Sequence, residues 1–334
     1  MKTQILSYIK IIFLALIICN KSTSYAGNKD IVVVESYSKE YKWDVDYDKE
    51  IKNRLGNQYQ LHFFEMNTKK VPKSEHEKRG QEALKFINKI SPILVILGDD
   101  AALKFVGPTL EKNKIKTVYL GVNNNPRAYF DTEPKYVTGV LERPLIRRSS
   151  IFIKDIIPKA KKVLILFDND RTSEIVHEDF FSKKPSVDFS GIIYDIFLVS
   201  KFANWQKLVL DANKNYDAII LGLYATLTDA NNSNVDSEKV LQWTSENSKL
   251  PLFAFWDFTV AKQKAMGGLV ITGASQGKAA AELAIKLLNN PNTLPSSIFP
   301  IYLQEGKFIF SKYELNKRKL ALPKEILNET IFVE

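Results

Sequence analysis

From residue 31 onward, short apolar runs rich in Val, Ile, Leu and Phe alternate with longer stretches whose apolar positions recur at helical spacing. The runs at 31–35 (IVVVE), 61–66 (LHFFEM), 92–98 (PILVILG), 117–122 (TVYLGV) and 136–141 (YVTGVL) read as strands. Helices are predicted between them at 44–55, 74–90 and 101–112, with Ser74 and Glu77 in capping-box register. The pattern then starts again. Helices at 144–157, 172–181, 202–213, 237–248 and 277–289 alternate with strands at 162–167 (KVLILF), 192–198, 218–223 (AIILGL), 252–255 (LFAF) and 269–272 (LVIT). Near-continuous apolar runs belong to strands covered on both faces, so these are βαβ units building parallel sheets. Two such sets predict an α/β protein of two Rossmann-like lobes, each a parallel sheet flanked by helices, around a ligand cleft. The first lobe takes residues 27–142 and the second 143–273, with 274–334 divided between them. Beyond Pro291 a hairpin-like piece at 301–310 crosses back between the lobes and forms an outer wall.

In open parallel sheets, ligands lie beyond the carboxyl ends of the strands. The residues at those ends here are polar or aromatic. They include Ser36, Tyr37, Asp99, Asp100 and Asn123 in the first set, and Tyr224, Trp256, Asp257 and Ser275 in the second; Tyr41 and Trp43 follow the first strand closely. Two facing rims of short polar groups and rings describe a cleft for a small, polar, partly flat molecule. Two carboxylates and no evident cleft arginine favour a ligand with donors, such as an amino acid's ammonium or a sugar's hydroxyls, and disfavour phosphate; of these, a ring-bearing amino acid is the expected ligand. One of Asp99 and Asp100 is expected to cap the helix that follows.

The first residues change the picture of where the chain works. A basic stretch to Lys10, a compact apolar run at 11–19 and small residues at Ser24-Tyr25-Ala26 form a secretory signal over residues 1–26. An uncleaved anchor or a lipoprotein at Cys19 are the rival readings; Ile18 is a poor lipobox residue. Cys19 is the only cysteine, so the exported chain has no thiol for a disulfide, a nucleophile or a metal. A periplasmic or otherwise extracytoplasmic bacterial protein, monomeric and with a core large enough to need no staple, fits this. The formal charge of +9 comes mostly from dispersed lysines without interleaved arginine and aromatic clusters, which argues against nucleic acid.

Gly273-Ala274-Ser275-Gln276-Gly277 matches G-x-S-x-G between a strand and a helix. A hydrolase of that kind needs a histidine after the serine, but His62, His76 and His177 all precede it. The segment reads instead as a helix start that holds a ligand carboxylate or hydroxyl, or as a plain capped turn. No metal spacing, P-loop or dinucleotide fingerprint occurs, so neither a cofactor nor catalysis is expected.

Several strings carry a resemblance: ESYSKEYKWD (35–44), VILGDDAAL (95–103), GVNNNP (121–126), the long FAFWDFTVAKQKAMGGLVITGASQGKAAAELAIKLLN (253–289) and FSKYELNKRKLALP (310–323). The chain resembles the ABC transporter substrate-binding proteins of the type I periplasmic-binding-like fold, close to the extracytoplasmic sensor domains of that family. The resemblance implies a hinged, non-enzymatic binding protein with a small-molecule ligand and an ABC permease of the inner membrane as partner. The alternative is a sensory protein signalling to a membrane histidine kinase or diguanylate cyclase.

Overall fold

The computed structural model describes residues 29–334, so the leader at 1–26 with Cys19 lies outside the described residues. The first five apolar runs form β1 (Asp30–Glu35), β2 (Gln60–Glu65), β3 (Leu94–Gly98), β4 (Thr117–Val122) and β5 (Val137–Leu141). All are parallel, in the order β5-β4-β3-β1-β2. Val33 of β1 sits between Phe63 and Ile96, and residues Ile31 to Val34 are fully buried, as strands sandwiched between helix layers require. Those layers are α1 (Lys42–Leu55), α2 (His76–Ile90) and α3 (Asp99–Lys112).

The second set forms a larger sheet. After α4 (Ile146–Ile156) come β6 (Lys162–Asp168), α5 (Arg171–Phe181), β7 (Ser186–Phe189), β8 (Ile192–Val199), α6 (Phe202–Asp211), β9 (Ala218–Leu221), α7 (Ser237–Asn247), β10 (Leu252–Ala254) and β11 (Gly267–Val270). The chain then returns to the first sheet with α8 (Gly273–Asn289), which packs on α1 and β4, and with β12 (Ile301–Tyr302), parallel to β5. It finishes in the second sheet with β13 (Lys307–Ser311), α9 (Lys312–Lys317), α10 (Lys324–Glu329) and β14 (Ile331–Val333). The second sheet reads β14-β13-β11-β10-β9-β6-β8-β7, with β13 antiparallel to β11 and β7 antiparallel to β8. The fold is thus two mostly parallel sheets flanked by helices, linked by crossovers after β5, β11 and β12.

Four local expectations are corrected. Residues 301–310 do not form a hairpin, because β12 and β13 join different sheets. The edge strand β7 was not predicted: SVDF alternates exposed and half-buried positions and carries no apolar run. The Ser74–Glu77 capping box is not made, because a 3-10 turn, Lys73–Glu75, precedes α2, and Glu75 at its N-cap makes no side-chain cap bond. The last long helix starts four residues early, at Gly273. A Cβ on Gly273 would lie 2.4 Å from the Trp43 carbonyl oxygen, and one on Gly277 2.3 Å from that of Tyr47. These glycines serve close approach of α8 to α1.

Candidate functional site

The carboxyl ends of both sheets meet at one seam. From the first sheet come Tyr37 after β1, Lys69 after β2, Asp99 after β3, Asn123 after β4 and Glu142 after β5. From the second come Thr172 in α5, Leu223 and Tyr224 after β9, and Trp256 and Phe258 after β10. Three cavities line the seam, of about 310, 20 and 720 Å3. Tyr37 and Lys69 line all three, and the middle one holds little more than a water-sized group.

Rings dominate the side of the 310 Å3 cavity. Phe258 is the hub. Its ring centroid lies 5.4 Å from that of Tyr41 and 6.4 Å from that of Trp43, both on the first half. On its own half it lies 6.3 Å from Trp256 and 6.5 Å from Tyr224. Each such pair is worth about 0.5–1.5 kcal/mol beyond area burial. Tyr37 meets Tyr41 edge-on at 5.1 Å. The Lys69 ammonium lies 3.9 Å from the Tyr37 ring centroid and 3.7 Å from the Tyr41 centroid, a cation–π clamp. Burial pulls the Lys69 pKa down, while the negative field of Asp99, Asp44, Asp168 and Asp170 opposes that shift.

Carboxylates converge on the deep side of the seam. Asp99 has φ +68° and is buried, with Oδ2 unpartnered. Burial raises its pKa well above the usual range, helped by the charges of Asp44 and Glu142. Gly121, also at φ +68°, lets it sit there, since a Cβ would lie 3.0 Å from Asp99 Oδ1 and 3.4 Å from the Trp43 indole nitrogen. Glu142 accepts the Trp256 indole N–H at 2.7 Å. Burial pushes Glu142 up to about 7 against the pull of that hydrogen bond. Two ion pairs flank the seam: Lys42–Asp257 at 3.3 Å and Lys73–Asp170 at 3.1 Å. Burial pushes Asp257 up to about 6, opposed by Lys42.

Of the residues singled out in the sequence, Tyr37, Tyr41, Trp43, Asp99, Asn123, Tyr224 and Trp256 come together around the cavities, and Asp100 lines the largest one. Three are engaged elsewhere. The Ser36 hydroxyl donates to Gly98 O at 2.5 Å and accepts the Ala102 N–H at 2.8 Å. Ser36 therefore satisfies the start of α3, which was assigned to an aspartate. Asp100 instead accepts from the backbone N–H groups of Asn123 and Asn124 and from the Tyr129 hydroxyl. Asp257 is held by Lys42 and lines none of the three cavities. The Ser275 hydroxyl lies 2.8 Å from that of Thr272, whose oxygen also accepts the Ser275 N–H and caps α8.

Sequence reasoning missed Lys69, Glu142 and Phe258. Each stands at or near a strand end, so the rule that found the others reaches them. The expectation of short polar groups and rings passed over a lysine. The described histidines are occupied: His62 with Asp30, His76 with the Thr68 carbonyl and His177 with the Lys184 carbonyl. Among the described residues no group of three or more His, Cys, Asp or Glu is arranged to hold a metal ion. No described helix is long and apolar enough to cross a membrane.

A family model described as ABC transporter substrate binding protein matches residues 128–333. No curated protein matches the chain in sequence. Among solved structures, the chain is similar to an ABC domain in complex with L-Trp from Streptococcus pneumoniae. That pair is 16% identical over 91% of this chain and 100% of that one, with a TM-score of 0.67. A ligand-free, open substrate-binding protein with adhesive properties from Clostridium difficile matches at 14% identity over 92% and 100%, TM-score 0.64. A Caulobacter myo-inositol-binding protein bound to myo-inositol matches at 11% identity over 92% and 99%, TM-score 0.55. At these identities the similarity is one of fold.

Proposed function

From the premise that the chain belongs to the ABC transporter substrate-binding protein family, we propose that it captures a small, polar, ring-bearing solute between its two halves and closes on it. An amino acid is favoured over a sugar. The observation that carries this reading is the ring box around Phe258, to which both halves contribute and which borders a cavity of about 310 Å3. That volume is at the small end of ligand pockets. A ligand touching both rims stabilises the closed arrangement by its differential affinity for it.

The moving bodies in this reading are residues 27–142 with α8 beyond Gly273 and with β12, and residues 143–273 with the segment from β13 onward. The closed form docks on an ABC permease in the inner membrane, and the protein works as an extracytoplasmic monomer after removal of its leader. It binds without chemistry: Ser275 is tied to Thr272, and the described histidines are engaged with Asp30, the Thr68 carbonyl and the Lys184 carbonyl. The streptococcal neighbour's complex with L-Trp supports a ring-bearing amino acid. Calorimetry of the purified chain against the amino acids and a set of sugars is the test. A saturable amino-acid signal that Phe258→Ala weakens strongly is the expected result. Tight binding of a solute that Phe258→Ala leaves unaltered contradicts the proposed seat.

A further inference from the structure

Resting on that interlobe reading, we infer that Lys69 receives an anionic group of the ligand, so that the solute taken by this cleft carries a carboxylate beside its ring. Lys69 Nζ is fixed by the Tyr37 and Tyr41 rings at 3.9 and 3.7 Å. Among the described residues it has neither an ion-pair partner nor a hydrogen-bond acceptor. Of the other lysines lining the cavities, Lys42, Lys70, Lys73 and Lys264 are ion-paired, and Lys104, 5.0 Å from the Phe105 ring centroid, is exposed to solvent. Lys69 is therefore an aimed cation whose donors are uncommitted, at the one place where all three cavities join.

Of the acids whose field reaches Lys69, Asp168 and Asp170 are engaged, while Asp99 Oδ2 and both Asp44 carboxyl oxygens have no hydrogen-bond partner. In the 720 Å3 cavity Asp170 is paired with Lys73, and Asp100 accepts three hydrogen bonds. An anion entering there meets free positive charge. The small middle cavity, which Lys69 also lines, holds two buried oxygens without partners, Asp99 Oδ2 and Asn123 Oδ1. A donor-bearing group of the same ligand satisfies them, which removes the cost of leaving buried acceptors unpaired. A cation and unpaired oxygens beside a ring box are complementary to a zwitterion with an aromatic side chain.

The test uses matched ligands and two variants. Calorimetry measures L-tryptophan, L-tyrosine and L-phenylalanine, their decarboxylated amines tryptamine, tyramine and phenethylamine, and the neutral solutes glucose and myo-inositol. The wild-type chain is expected to bind at least one of the amino acids, and to bind its amine about 10- to 100-fold more weakly, as loss of a charged hydrogen bond predicts. Lys69→Met is expected to lose a similar factor on the amino acid only, and Lys69→Arg to recover part of it. The wild-type comparison of acid with amine stands even if a variant fails to fold. Equal or better binding of an amine or a neutral solute overturns the role of Lys69 and leaves interlobe binding intact. Unchanged or tighter amino-acid binding by Lys69→Met does the same, since it makes the ammonium a plug. No binding by any member of the panel overturns both this inference and the reading beneath it.

Discussion

Trp256 donates its indole N–H to Glu142 Oε1 at 2.7 Å, and both residues are buried. The bond joins the residue directly after β5 to one just after β10, so it stitches the two sheets at the depth of the seam. Removing the donor by Trp256→Phe leaves a buried carboxylate without that partner. The expected loss is about 1.5–3 kcal/mol when Glu142 is charged. Because burial pushes Glu142 up to about 7, urea unfolding at pH 8.5 should reveal a larger loss than at pH 5.5. An equal loss at both pH values would assign the effect to ring packing alone.

Ser36 is a structural residue at the edge of the cleft. Its hydroxyl bridges Gly98 O and the Ala102 N–H, and its side chain lines none of the three cavities. Ser36→Ala is expected to cost about 1 kcal/mol, as loss of a helix-start cap does. The thermal midpoint should fall while the affinity for a solute that calorimetry identifies stays within experimental scatter. A selective loss of affinity at unchanged stability contradicts this assignment.

Stability should fall as pH rises from 5 to 8. Burial raises Glu35 to about 10, with the negative charges of Asp48 and Asp44 beside it; Glu142 reaches about 7 and Asp257 about 6. In each case the folded form binds a proton more tightly than the unfolded chain. The associated stabilisation is therefore complete below the ordinary carboxyl range and is lost as pH climbs through each folded value. The lowered carboxylates Asp195 and Asp211 act below this window, and the lowered Lys69 acts towards its alkaline side. The urea midpoint should be higher at pH 5 than at pH 8, and Glu35→Gln should flatten the profile. A midpoint that rises over that interval contradicts the assignment.

The architecture was legible because burial on both faces writes itself into the chain. IVVV and KVLILF, short and rich in β-branched and aliphatic residues, read as interior strands, and their alternation with helices implies the sheets. β7 was illegible for the converse reason: at an edge, half-exposed, it needs no apolar run. In the site, strand-end position found Tyr37, Asp99, Asn123 and Tyr224. It could not say that Ser36 spends its hydroxyl on residues 62 and 66 positions away. Nor could it say that Gly273 and Gly277 face a neighbouring helix instead of a ligand. Lys69 was passed over because a lysine reads as solvated surface. Only the folded chain reveals the two tyrosine rings that hold it.

In the proposed function, occupancy of the seam brings the two halves together. Cysteines at the exposed positions Lys85 on α2 and Lys239 on α7, introduced in a Cys19→Ser background, place one spin label on each half. The inter-label distance distribution, measured with and without a saturating amino acid that calorimetry has identified as bound, should narrow and shorten on addition. An unchanged distribution at full occupancy would contradict it.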